Sequence, residues 1–315
     1  MTRKIILDLD TGVDDALALA YALGSPELDL IGVTCTYGNV LVEQGAANDL
    51  ALLDLLGHGE VPVFLGEPHA RAKDSFEVLD ISAFIHGKNG IGEVEIPAST
   101  REVSERGAVD FLVESVREHG EDLVIVATGP MTNLAAAIDR DPEFARNAHI
   151  VIMGGALTVP GNVNAWTEAN ISQDPEAADV LLRSGADVTM IGLDVTLQTL
   201  LTYEETARWR ALGTEAGAAL ADIMDYYIKA YETTAPYLGG CGLHDPLAVA
   251  VAVDPSLVTL LPINLKVDLE GPTRGRTIGD EQRLNAAERT ARAAVAVDAP
   301  RFVRELMERI GSVLR

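Results

Sequence analysis

Short, unbroken apolar runs alternating with stretches of helical period constrain this chain more than any other feature. The clearest run, Leu123-Val124-Ile125-Val126-Ala127, has no polar face. A strand with one wet face alternates apolar and polar side chains, so a continuous run belongs in a sheet covered on both sides. Comparable runs lie at Lys4 to Leu9, Leu28 to Thr34, Val61 to Leu65, Ile150 to Met153 and Val188 to Leu193. Between them Ala16–Leu23, Glu43–Leu56, Ser104–Glu118, Asn133–Asp139 and Pro175–Arg183 carry apolar residues at helical spacing. This alternation predicts an α/β fold, an open, mostly parallel, doubly wound (Rossmann-like) sheet with helices on both faces. After about Leu200 the pattern changes: a long helix is expected from Thr214 to Thr233, another at Leu247–Val253, a strand over Leu260 to Leu269 and a closing amphipathic helix from Pro300 to Leu314. No linker or repeat interrupts the chain, so residues 1–315 are expected to form a single domain.

Composition removes several function classes. The 48 acidic residues against 24 basic ones give a formal charge of −24. Without a basic cluster, nucleic acid and anionic membrane surfaces are poor partners. No apolar run approaches the roughly 18 residues of a membrane span, and the apolar stretch near the start is too short for a signal peptide. A cytoplasmic protein is the expectation. Two cysteines, Cys35 and Cys241, exclude a disulfide scaffold and a Cys-rich zinc site.

The chemistry concentrates where strands are expected to end. Asp8-Leu9-Asp10-Thr11-Gly12-Val13-Asp14-Asp15 places four carboxylates in eight residues between a strand and a helix. Acidic caps at a helix start would account for part of it. Asp8 and Asp10, two apart, would share a strand face if the strand extends that far. Carboxylates crowded this closely repel one another unless a cation sits between them, and an all-oxygen donor set favours a hard ion such as Ca²⁺ or Mg²⁺. Other strand ends carry Thr36-Tyr37-Gly38-Asn39, Thr128-Gly129-Pro130-Met131-Thr132-Asn133 and Met153-Gly154-Gly155, with Gly161-Asn162, Glu168-Ala169-Asn170 and Asp174-Pro175-Glu176 following; His244-Asp245-Pro246 joins them from the C-terminal part. In a doubly wound sheet these ends share one rim, where ligands bind.

Taken in order, these segments, together with Ile85-His86-Gly87 and Gly192-Leu193-Asp194-Val195-Thr196, resemble the inosine–uridine-preferring nucleoside hydrolases over nearly the whole chain. The resemblance implies hydrolysis of the N-glycosidic bond of purine or pyrimidine ribonucleosides to free base and ribose. It implies a Ca²⁺ held by Asp10, Asp15, Asp245 and the backbone carbonyl of Thr128. Asp14, Asn39, Met153, Asn162, Glu168, Asn170 and Asp245 would bind the sugar, with His86 and His244 beside the base. Asp10 would be the general base for water, and His244 the acid that protonates the leaving base. No Ser or Cys in these motifs has a partner base, so direct attack by water is expected. Homodimers or homotetramers are the implied assemblies.

The sequence departs from the family pattern at Ala169, where Phe is common, and at Thr11, where many relatives have Pro. Trp166 either replaces some of the lost aromatic surface or sits in the core. Tyr227 and Tyr231, four apart on one helix face, would stack on a base or pack internally. Two other readings compete. Ile5-Ile6-Leu7-Asp8-Leu9-Asp10-Thr11 also resembles the nucleophile motif of haloacid dehalogenase-type phosphohydrolases, with Asp8 attacking phosphorus. A calcium-dependent nucleoside- or ribose-binding protein without turnover would keep the same pocket.

Overall fold

The computed structural model describes residues 2–315. In chain order its strands are β1 (Arg3–Leu9), β2 (Leu28–Cys35), β3 (Val63–Leu65), β4 (Leu123–Ala127), β5 (His149–Met153), β6 (Asp187–Ile191), β7 (Leu200–Leu201), β8 (Cys241–Gly242), β9 (Val258–Pro262), β10 (Leu265–Val267), β11 (Thr277–Gly279) and β12 (Ala291–Val297). The α-helices are α1 (Val13–Leu23), α2 (Val42–Leu55), α3 (Asp80–His86), α4 (Ala108–His119), α5 (Thr132–Arg140), α6 (Phe144–Asn147), α7 (Ala169–Gln173), α8 (Pro175–Arg183), α9 (Leu193–Thr196), α10 (Tyr203–Arg210), α11 (Glu215–Thr234), α12 (Asp245–Val253) and α13 (Ala299–Val313). Eight strands form one sheet in the order β3-β2-β1-β4-β5-β6-β12-β9, parallel throughout except for β9, which runs antiparallel to β12. The strand order reverses between β1 and β4, which opens the crevice where such sheets bind ligands.

Both faces of the sheet are covered, which explains the unbroken apolar runs. Along β1, Ile5, Leu7 and Leu9 enter one core while Ile6 enters the other. The first core is closed by α1, α2, α11, α12 and α13, the second by α4, α5 and α8. Helix α1 is buried from Val13 to Ala22, and its alanines give it the slim, apolar surface of a central helix. It packs on α12 and α13. At its end Gly24 meets α13 so closely that a Cβ would lie 2.2 Å from the Arg309 carbonyl oxygen.

Two expectations change in the C-terminal part. The strand expected over Leu260 to Leu269 is two: β9 closes the main sheet and β10 pairs with β11 in a separate hairpin. The break falls at Asn264, a buried side chain whose amide donates to the carbonyls of Arg283 and Glu288. Strand β12, sequence Ala-Arg-Ala-Ala-Val-Ala-Val, carried no strand signal because alanine has little β preference. Its place between β6 and β9 makes it a strand. Helices α1 and α12 each begin earlier than their apolar periodicity indicated, at Val13 and Asp245, so Asp14, Asp15 and Asp245 occupy first turns.

Candidate active site

The ends of β1, β2 and β4 are tied together by backbone bonds, Thr36 N–H to the Leu9 carbonyl and Thr128 N–H to the Asp8 carbonyl. β1 stops at Leu9, so Asp8 and Asp10 part company. Asp8 turns away: its Oδ1 accepts from Thr34 Oγ1 at 2.6 Å and Asn133 Nδ2 at 2.7 Å, and burial pushes its pKa up to about 6. Held in this way outside the cavity lining, Asp8 is a structural carboxylate, a poor nucleophile for phosphoryl transfer.

Asp10, Asp14, Asp15 and Asp245 gather instead. Asp14, Asp15 and Asp245 each place a carboxylate oxygen within 4.8 Å of the others. Asp10 is wholly buried beside them; its Oδ2 accepts from the Asn39 N–H at 2.7 Å, while its Oδ1 has no hydrogen-bond partner. Gly38 hugs this carboxylate: a Cβ there would sit 2.0 Å from Asp10 Oδ2. Asp15 accepts from the Gly12 N–H and from Thr128 Oγ1, both at 2.7 Å. Burial first, then the neighbouring carboxylates, hold the pKa values of Asp10, Asp14 and Asp245 above the ordinary range. A hard divalent cation among these oxygens would remove that repulsion and give Asp10 Oδ1 a partner. The donor set fits one.

A cavity of about 470 Å³ opens above the cluster, a size suited to a small organic ligand. Asp14, Asn39, Thr128, Met153 and Asp245 reach its lining, with Asp10 and Asp15 behind. On the α7 side, Glu168 caps its own helix, accepting from the N–H groups of Gly155, Asn170 and Ile171. Asn170 Nδ2 donates to the carbonyls of Thr128 (2.5 Å) and Met153 (3.1 Å). Asn162 stands on the exposed rim and accepts from the Ala169 N–H at 3.0 Å. Ala169 lines the cavity; Trp166 is absent from its lining. Trp166 is also no core residue, being 43 % exposed with the Arg276 guanidinium 5.1 Å from its ring centre.

The opposite wall holds aromatic and imidazole rings. His86 Nδ1 accepts from the Val13 N–H at 3.2 Å, which leaves its proton on Nε2, and burial lowers its pKa to about 3. Its ring lies 5.4 Å from that of Tyr227, which in turn meets Tyr231 edge-on at 4.9 Å. His244, also buried, bonds through Nε2 to the Tyr231 hydroxyl at 2.7 Å and through Nδ1 to Thr196 Oγ1 at 2.8 Å. Burial brings its pKa down to about 4. Asp14, Asn39, His86, Thr128, Met153, Asn162, Glu168, Asn170, His244 and Asp245 all line this cavity, while Asp10 and Asp15 lie behind it and Asp8 and Trp166 stand apart. The tight carboxylate trio is Asp14, Asp15 and Asp245, with Asp10 outside it, and the structure adds the bonds of Thr196 and Tyr231 to His244. The i, i+4 spacing of Tyr227 and Tyr231 was a visible signal; nothing in the sequence tied Thr196 to His244.

A buried carboxylate cluster at the switch point, facing a cavity with hydroxyl donors opposite, suits a metal-assisted hydrolase of small molecules. The chain belongs to the inosine-uridine preferring nucleoside hydrolases, a family of metal-dependent N-glycosyl hydrolases, whose profile matches residues 5–304. It is 39% identical to the probable uridine nucleosidase 2 of Arabidopsis thaliana, over 98% of this chain and 97% of that one. It is 36% identical to the pyrimidine-specific ribonucleoside hydrolase RihA of Escherichia coli O7:K1, over 98% and 99% of the two chains. Among solved structures, the purine-preferring ribonucleoside hydrolase from Gardnerella vaginalis matches with a TM-score of 0.98 at 69% identity, covering 99% of both chains. Neither a phosphohydrolase nor a binding protein without turnover is favoured by these likenesses.

Proposed function

We propose that this protein hydrolyses the N-glycosidic bond of ribonucleosides, purine ribonucleosides ahead of pyrimidine ones, with Ca²⁺ held by Asp10, Asp15, Asp245 and the Thr128 carbonyl. The observation that carries this reading is one cavity with carboxylates at its floor and a Tyr231–His244–Thr196 hydrogen-bonded series in its wall. When bound, the ion supplies positive charge that gathers the sugar's vicinal hydroxyls and lowers the pKa of water.

Asp10 takes the proton of the attacking water at Oδ1, its other oxygen being tied to Asn39. Asp14, Asn39, Asn162, Glu168, Asn170 and Asp245 hold the ribose, with Met153 packing beneath it. As the C–N bond breaks, positive charge grows on the sugar, and the acidic floor favours it. The leaving base needs a proton. At neutral pH His244 is uncharged, so it serves this step through its neighbour. With Nδ1 accepting from Thr196 and the proton on Nε2, His244 donates to Tyr231, whose O–H is then turned towards the base. Burial and Asp14 hold that phenol well above its ordinary range, so it hydrogen-bonds the departing base nitrogen while the proton itself comes from solvent. His86 and Tyr227 line the base side of the same wall.

The preference for purines draws on the roomy cavity and the hydroxyl donors, and on the 69% identity to a purine-preferring hydrolase. The single domain, and an assembly as a homodimer or homotetramer, belong to the same reading; light scattering measures the latter. The functional test is a panel of purine and pyrimidine ribonucleosides with chromatography of the liberated base, run on wild type and Asp10→Asn. Asp10→Asn is expected to lose about 10²–10⁴-fold in kcat. No free base from any ribonucleoside would refute the reading; faster release of uracil or cytosine than of purines would refute the preference alone.

A further inference from the structure

Two adjacent polar residues of α2 take no part in the chemistry above, yet both face inward, Asn48 4 % exposed and Asp49 0 %. The Asp49 carboxylate accepts from Thr11 Oγ1 at 2.7 Å and from the Cys35 thiol at 3.2 Å. Asn48 Nδ2 donates to the Asn89 carbonyl at 2.8 Å and lies 3.4 Å from the Thr11 carbonyl. Gln44, one turn earlier, donates to Asn48 Oδ1 at 2.9 Å and orients the amide. Apart from that bond, every partner sits on a segment that carries the site. Thr11 is in the turn between Asp10 and Asp14, Cys35 ends the strand before Asn39, and Asn89 is in the loop after His86.

The packing is close enough to transmit these constraints. A Cβ at Gly45 of α2 would lie 3.8 Å from both the Asp10 carbonyl carbon and the Thr11 nitrogen, so the helix lies directly against the turn. Gly90, at φ +83°, seats the loop on the same spot: a Cβ there would be 2.8 Å from the Thr11 oxygen and 2.9 Å from Asn48 Nδ2. An apolar pair would fill this interior helix face at lower cost, since burying a carboxylate is unfavourable and raises its pKa, here to about 7. Hydrogen bonds directed at the three site-bearing segments are what the polar pair adds.

We propose that Asn48 and Asp49 are positioning residues that lock the Asp10–Asp15 turn and the loop behind His86 into one frame, so that α2 governs how tightly the carboxylates grip their cation. The inference rests on the metal-dependent reading given above. Residues behind a metal's direct ligands commonly change its affinity or the activity about 10–100-fold when removed.

The test uses full-length protein stripped with EDTA, with Ca²⁺ affinity from calorimetry, melting temperature, and kcat and KM for a purine ribonucleoside. Thr11→Val, which keeps the side-chain shape, and Asp49→Leu are each expected to weaken Ca²⁺ binding about 10–100-fold. The double variant should be little worse than either single one, because both remove the same bond. Thr11→Ser restores the hydroxyl and should return affinity to near wild type. Asn48→Leu should raise KM more than it lowers kcat. Wild-type affinity in Thr11→Val and Asp49→Leu, whatever their melting temperatures, would overturn the positioning role while leaving the hydrolase reading intact. A wild-type protein that bound no Ca²⁺ would overturn both. Thr11→Val alone decides the matter if Asp49→Leu does not fold.

Discussion

His244 shows how a residue's neighbours decide what its side chain can do. With Thr196 on one ring nitrogen and Tyr231 on the other, it orients a hydroxyl more readily than it carries a charge. Tyr231→Phe and His244→Ala should therefore lose about 10²-fold or more on purine ribonucleosides, where the base must be protonated. Both should lose far less on p-nitrophenyl riboside, whose leaving group departs as an anion. Equal losses on the two substrates would place this pair in sugar binding. Asp49 makes a different prediction. Its folded pKa of about 7 exceeds the ordinary 3.8, so between these values the native state holds a proton that the unfolded chain has released. The stability it contributes is full below about pH 4 and is lost as pH rises through about 7. In EDTA, the melting temperature of Asp49→Asn should accordingly gain on wild type from pH 4 to 7; parallel curves would remove the shift. Most chemistry-bearing side chains were legible in the sequence because they lie in short, dense motifs at strand ends. The pairing of Thr196 with His244 and the roles of Asn48 and Asp49 were not, since they depend on partners distant in the sequence.

Among the secondary-structure elements, legibility followed how much of each signal was local. The parallel strands announced themselves because burial on both faces demands an apolar residue at nearly every position. Strand β12 is specified by its neighbours, with Ala291 beside Val188 on one side and Ala293 beside Leu261 on the other, and alanine alone could not signal it. Apolar periodicity places the starts of α1 and α12 too late because their first turns carry aspartates instead of apolar residues. The crossing of α1 by α13 gives a prediction at this scale. Gly24→Ala would drive a methyl group against the Arg309 carbonyl and should cost about 1–3 kcal/mol, as overpacking does. Thermal unfolding reads the loss, and an unchanged melting temperature would show that α13 yields freely. KM should stay as in wild type, because neither helix end lines the cavity.

For the whole molecule, the acidic surface and the acidic floor act together. A chain of formal charge −24 that also buries a knot of carboxylates is strained by like charge until a cation joins it. Removing Ca²⁺ with EDTA should lower the melting temperature, and adding it back should raise it with concentration. One site filled at about 100 times its Kd contributes about 2.7 kcal/mol. A melting curve indifferent to Ca²⁺ from micromolar to millimolar would argue against a resident ion.

The spacing of the trio along the chain has a consequence for biosynthesis. Asp14 and Asp15 leave the ribosome some 230 residues ahead of Asp245, and β12 and α13 follow it. A nascent or truncated polypeptide thus carries only part of the acidic nest. On the proposed reading, tight ion capture waits until the first helix has met the twelfth.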